Sequence, residues 1–170
     1  MRRFESLLID EIPALRRYAR ALCRDPAQAD DLVQECLTRA VSRRKLWVRH
    51  RGLRPWLFAI LHNIFVNDLR RQVASRLVHS DAIDPQSITS DQDADLLCAL
   101  SDFEQALHRL SAEHREVLLL VGLEQMTYRQ VAKVTGTPIG TVMSRLARAR
   151  EQLASSLEGE IKIAKIKRVK

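Results

Sequence analysis

Residues Met126 to Leu153 read MTYRQVAKVTGTPIGTVMSRLARAREQL, two helical patterns parted by a very short break. Thr127 predicts an N-cap, and Gln130, three residues on, completes a capping box. Val131 and Val134 are the apolar positions of the first helix, with small Ala132 where a second helix must pass close. Gly136 supplies the left-handed conformation that ends a helix without steric penalty. Thr137 is expected to cap the second helix, with Pro138 at its first position, where a missing N–H costs nothing. Such a pair is a helix-turn-helix.

The second helix has two faces. Val142, Leu146, Ala149 and Leu153 follow helical spacing and form the buried stripe. Thr141, Ser144, Arg145 and Arg148 fall on another side, with no acid among them. Hydroxyls and guanidinium groups so arranged can bond phosphates or base edges in a major groove. The bland alternative is a solvated arginine-rich face on an ordinary helical hairpin.

The chain has 170 residues, enough for one medium domain or two small ones, and is 46% hydrophobic and 29% charged. Five Gly and five Pro point to few turns and mostly helix. A formal net charge of +7 favours a polyanionic partner. No apolar run reaches membrane-spanning length, and the opening MRRFESLLIDEIP has acids inside its apolar part, unlike a signal peptide. A cytoplasmic protein with no membrane partner is the expectation. Cysteines at 23, 36 and 98 form no Cys-x-x-Cys pair, so neither a metal site nor a cofactor is expected. Cys23 and Cys36 sit in apolar helical patterns and read as small buried hydrophobes, a redox sensor being the lesser alternative.

Residues 4–24 form an amphipathic pattern with Leu15, Tyr18, Ala19 and Leu22 on its apolar side and Pro13 in the first turn or at a kink. Asp25 then caps a helix that opens on Pro26, with Gln28 closing a capping box. Ala29, Val33, Cys36, Leu37 and Ala40 are its buried stripe. Opposite lie Asp31, Gln34, Glu35 and Thr38, a solvated face or an acidic docking surface in a basic protein. From there to Asp68 no acid occurs, while Arg39, Arg43, Arg44, Lys45, Arg49, Arg51 and Arg54 do. So one-sided a run predicts a phosphate-facing loop, with Trp47 and His50 available to stack on a base. Pro55 starts the next helix, apolar at Leu57, Ile60, Leu61, Ile64 and Phe65. Trp56, at that helix start, is expected to pack. Asn63, Asn67 and Arg70 line up on the other side, followed by Arg71, as DNA-contacting groups or plain helix surface.

Residues 77–97 hold five Asp, no Lys or Arg, and Pro85, the composition of a flexible linker. Leu100, Phe103, Leu107 and Leu110 begin a second helical group, and Ser111 caps the helix carrying VLLLVGL. The tail EIKIAKIKRVK reads as a frayed solubilising end, with contact to DNA the lesser alternative. No catalytic constellation is present, so an enzyme is not expected. The fold class is all-α: two small helical domains joined by a linker, with boundaries at 1–76, 77–97, 98–157 and a tail at 158–170.

Two blocks then resemble one family. DPAQADDLVQECLTRA with RPWLFAILHNIFVNDLRR is similar to region 2 of a sigma-70-type sigma factor, and HREVLLLVGLEQMTYRQVAKVTGTPIGTVMSRLARAREQL to region 4. Their order, with nothing but a linker between, resembles the extracytoplasmic-function group. RALCRDPAQADDLVQE and LVGLEQMTYRQVA look like its alphaproteobacterial general-stress branch. The resemblance implies core RNA polymerase, promoter DNA and an anti-sigma factor as partners. It assigns Asp31, Gln34 and Glu35 to polymerase docking. The opened −10 element falls to Arg49, Arg51, Asn63, Asn67, Arg70 and Arg71, and the −35 element to Pro138, Thr141, Met143, Ser144, Arg145 and Arg148. Met143 departs from the family, which often carries Lys there. The rival functions are a sigma-like decoy, which should have lost Arg145, Arg148 and Arg150, and a dimeric repressor, which leaves the first block unexplained.

Overall fold

The computed structural model describes residues 4–47, 52–78 and 94–168. Among them the chain forms seven α-helices and one 3-10 turn. Helices α1 (Phe4–Leu22), α2 (Pro26–Ser42) and α3 (Leu53–Val78) make the first domain. Helices α4 (Ala94–Arg109), α5 (Ala112–Gly122), α6 (Tyr128–Thr135) and α7 (Ile139–Arg168) make the second. The acidic segment expected as a linker lies outside the described residues, except for its ends, which belong to α3 and α4.

The first domain is a three-helix bundle. Leu15, Tyr18, Ala19 and Leu22 of α1 are fully buried, as are Leu57, Phe58, Leu61 and Ile64 of α3. Tyr18 meets Phe58 edge-on at 5.1 Å between centroids, a geometry that suits the ring quadrupoles. Removing a side chain such as Leu61 from so dense a core costs about 2–5 kcal/mol. Ile60 and Leu37, expected inside, are only partly buried, while Phe58 and Leu32 take the places nearer the centre.

Local start and stop signals operate largely as read, with small shifts. Asp25 accepts from the Ala27 N–H at 2.9 Å, so it caps α2 one donor earlier than a capping box through Gln28 would. Pro13 stands well inside α1, not in its first turn. Helix α3 begins at Leu53, after Gly52 at φ +77°, so Pro55 sits within its first turn and not at its head. The Ser111 hydroxyl accepts from His114 N–H at 3.3 Å and caps α5.

The second domain carries the helix-turn-helix. Thr127 and Gln130 make the reciprocal capping box, and Gly136 ends α6 at φ +65° with its N–H on the Ala132 carbonyl. The start of α7 differs by one residue. The Pro138 carbonyl accepts from Val142 N–H at 3.1 Å, which makes Pro138 the cap and not the first helical residue. Thr137 instead exchanges a hydroxyl hydrogen bond with Thr135 at 2.8 Å. Val142, Leu146 and Ala149 are buried as expected, and Leu153 is half-buried. Leu100 and Phe103 of α4 are exposed, against expectation, while Ala106 and Leu107 further along the helix and Leu110 just past its end are buried. The backbone of α7 stays helical through Arg168, where a frayed tail was expected.

The domains touch. Helix α1 lies against α5, and α3 against α6. Arg115 of α5 donates to Leu22 O of α1 at 2.8 Å, and to His108 O and Leu110 O at 3.3 and 3.1 Å. One guanidinium thus satisfies the orphan carbonyls at the ends of α1 and α4.

Candidate nucleic-acid interface

Helix α7 contacts α4, α5 and α6 through its buried stripe, which turns its other side outward. Pro138, Met143, Ser144 and Arg148 are exposed, and Thr141 is half-buried beside them. The Ser144 hydroxyl donates to Thr141 O at 3.0 Å, leaving its lone pairs outward. Arg145 is different. Its side chain is 23% exposed and is tied to Glu113 of α5 at 2.5 Å. The acid absent from the helix itself arrives from a neighbour. One residue escaped sequence reading: Ile139, 42% exposed, stands one turn before Met143, 53% exposed. Together they form an apolar ridge in a polar face. Ile139 sits three residues before Val142, and that spacing hid it among core positions.

In the first domain Asp31, Gln34, Glu35 and Thr38 are all exposed on the outer face of α2. Glu35 is salt-bridged to Arg39 one turn on. Asn63, Asn67, Arg70 and Arg71 are exposed along α3. The Asn63 amide donates to Ala59 O at 2.8 Å, which leaves its carbonyl oxygen as the outward group. Arg71 pairs with Asp68 at 3.0 Å. Arg70 lines a groove of about 420 Å³ with Phe65, Val66 and Leu69, opposite Glu113 and Glu116 of α5. Arg49, His50 and Arg51 lie outside the described residues. Trp47 packs on Phe4 at 5.5 Å with its indole Nε1 buried and unpaired, and Trp56 closes the cluster at 6.3 Å from Phe4. An orphan indole donor is costly to bury, and Trp47 is engaged with Phe4 instead of standing free.

The charged groups that sequence reading missed lie between the domains. Glu116 and Glu124 of the second domain are buried. Glu124 accepts from Arg17 Nε at 3.1 Å and Nη2 at 3.0 Å, and is also salt-bridged to Arg54. Arg54 reaches Glu11 at 2.9 Å and lies over the Phe58 ring at 5.4 Å. Glu116 receives Tyr18 Oη at 3.4 Å and meets His62 Nδ1 at 2.5 Å. Burial, then the Glu116 carboxylate, raises the Tyr18 phenol well above its ordinary value. The one hint in the sequence was an acid on each side of the apolar run, Glu116 just before Val117 and Glu124 just after Leu123.

Burial pushes the Cys36 thiol up to about 12 and the Cys23 thiol to about 11, so neither is a thiolate near neutrality. Burial, helped by Arg115 and Arg24, lowers His108 to about 4. No group of His, Cys, Asp or Glu among the described residues could hold a metal, and no described helix is long and apolar enough to cross a membrane.

The chain is similar to known proteins over most of its length. Residues 8–62 match the family described as the Sigma2 domain of PhyR, and residues 100–153 match Sigma-70, region 4. The ECF RNA polymerase sigma factor EcfG of Rhodopseudomonas palustris is 33% identical over 150 residues, 88% of this chain and 82% of that protein. The ECF sigma factor SigC of Mycobacterium tuberculosis is 34% identical over 139 residues, 81% of this chain and 75% of that one. Among solved structures, the sigma factor RpoE of Bartonella quintana, in complex with the anti-sigma factor NepR, aligns with a TM-score of 0.81 at 34% identity. The alignment covers 91% of this chain and 96% of that one.

Proposed function

Because the chain belongs to the extracytoplasmic-function sigma factors, we propose that it binds core RNA polymerase and directs initiation at a specific class of promoters. The carrying observation is the presence of both domains in family order, with the outward face of α7 open to a groove. On this reading region 2 spans 1–76 and region 4 spans 98–157. Asp31, Gln34 and Glu35 dock on polymerase. Asn63, Asn67, Arg70 and Arg71, with Arg49 and Arg51, follow the opened −10 strand. Pro138, Thr141, Met143, Ser144, Arg145 and Arg148 face the −35 duplex. The likeness to a sigma factor solved with NepR supports an anti-sigma partner for this chain too. The protein would act in the cytoplasm, where polymerase is, and carry no catalysis of its own.

A decoy that captures an anti-sigma factor without touching DNA is the second reading, favoured by the match of the first domain to that of PhyR. Against it stand the exposed Arg148 and Arg150 and the identity to EcfG across both domains. Run-off transcription with core polymerase, with and without this protein, separates the two. Transcripts that appear only with the protein are expected. Their absence on every promoter tested, together with tight anti-sigma binding, would establish the decoy.

A further inference from the structure

Glu124 is an internal anion held by the wrong domain. Its side chain has no exposed surface, and the side-chain groups that hold it, Arg17 and Arg54, come from the first domain. Arg17 grips it through Nε and Nη2, the fork by which a guanidinium takes either a carboxylate or a phosphate. Arg54 approaches the same Oε2 atom while fixed from behind by Glu11 and the Phe58 ring. Two cations are therefore pre-positioned around one oxyanion, and both keep part of their own surface in water.

The charge balance shows what separation of the domains would leave. Joined, Arg17 and Arg54 face Glu11 and Glu124, two charges of each sign. Parted, Arg54 keeps Glu11 and Arg17 loses the carboxylate that it grips. The uncovered site is cationic, and Arg54 belongs to the acid-free run between Glu35 and Asp68. A buried ion pair adds little net stability over an apolar contact but fixes one docking geometry.

We propose that Arg17 and Arg54 form a binding site for phosphates of single-stranded DNA, and that Glu124 occupies this site while the two domains are joined. The inference rests on the sigma-factor reading for its ligand class and on the geometry above for its position. It adds Arg17 and Arg54 to the strand-contacting surface and makes Glu124 a competitor of DNA within the same chain.

The test uses the full chain without polymerase. Binding of a short labelled single-stranded oligonucleotide is followed by fluorescence anisotropy across a potassium chloride series. The parent protein, Glu124→Gln and the triple variant Glu124→Gln/Arg17→Ala/Arg54→Ala are compared, with helicity checked by circular dichroism. Glu124→Gln keeps the shape and removes the charge. It should bind several-fold tighter, with a salt slope steeper by about 0.7 for each phosphate recruited. The triple variant should lose that gain. A Glu124→Gln protein that matches the parent in affinity and slope, or a triple variant that keeps the gain, overturns the proposal. Should Glu124→Gln lose helicity, Arg17→Ala/Arg54→Ala is tested in holoenzyme on promoter DNA. A shorter-lived complex with a shallower salt slope is expected, and an unchanged lifetime and slope overturns the site. Failure of run-off transcription with success here would sink the sigma reading and leave the anion site standing. The reverse result would sink only the site.

Discussion

Cys36 Sγ donates toward Leu57 O at 3.5 Å in the middle of the first core, and Cys23 lies buried at the end of α1. With pKa values pushed to about 12 and about 11, both thiols are almost wholly protonated at pH 8. In a Cys98→Ser background, alkylation of the native protein at that pH should be far slower than after unfolding in urea. Equal rates would mean that one of them is a reactive, sensing thiol after all. His108 gives a pH signature of opposite origin. Arg115 Nη1 donates to its Nδ1 at 2.9 Å, a bond only the neutral ring accepts. Its pKa is about 4 folded against an ordinary 6.5, so the unfolded chain binds the proton first. The stability from His108 is complete above pH 6.5 and is lost as pH falls toward 4. Urea midpoints measured through this window should fall less steeply for His108→Gln than for the parent. Parallel profiles would show that the ring is not held neutral.

At the scale of elements, the stretches legible in the sequence were those whose partners lie within one turn. The Thr127–Gln130 box, the Ser111 cap and the left-handed Gly136 depend on residues a few positions apart, and all three stand as read. Gly136→Ala should therefore cost about 1–2 kcal/mol from backbone strain alone, seen as a lower urea midpoint. The faces that went wrong were set by tertiary partners. Leu100 and Phe103 have the spacing of core residues, yet both are exposed, while Ala106 and Leu107 further along α4 are buried. Arg145 looked free because its acid, Glu113, belongs to another helix. This pairing divides the expectations for α7. Arg148→Ala removes an exposed cation and should weaken −35 duplex binding on all sequences alike, with a shallower salt slope. Arg145→Ala also strips Glu113 of its partner, so its effect on DNA should be read beside Glu113→Gln. Met143→Lys adds a charge to the Ile139–Met143 ridge and should raise affinity with a steeper slope. Three variants indistinguishable from the parent at every salt concentration would remove α7 as the reader.

For the whole molecule, the all-α class and the two-domain order were legible because helical periodicity and the break in composition are written along the chain. The joint between the domains was not. Glu124 and its partners Arg17 and Arg54 are 107 and 70 residues apart in sequence, and nothing local signals a carboxylate that will be buried by another domain. That joint uses Arg17 and Tyr18 of α1 and Arg54 and His62 of α3, while the Asp31–Thr38 stripe of α2 points away from it. If α2 is the docking face, as proposed, polymerase can reach it while the domains are still joined, and docking need not wait for opening. Asp31→Lys/Glu35→Lys tests this. Both residues are exposed, and the Glu35–Arg39 pair contributes only about 0.3–0.5 kcal/mol, so the fold should survive. Affinity for core polymerase should fall by about tenfold or more, equivalent to about 1.4 kcal/mol, while Glu124→Gln should leave it unchanged. Binding of the charge-reversed protein to a −35 duplex should match the parent, since α7 lies in the other domain. If affinity for core polymerase holds while circular dichroism shows full helicity, the acidic stripe is a solvated face and polymerase docks elsewhere.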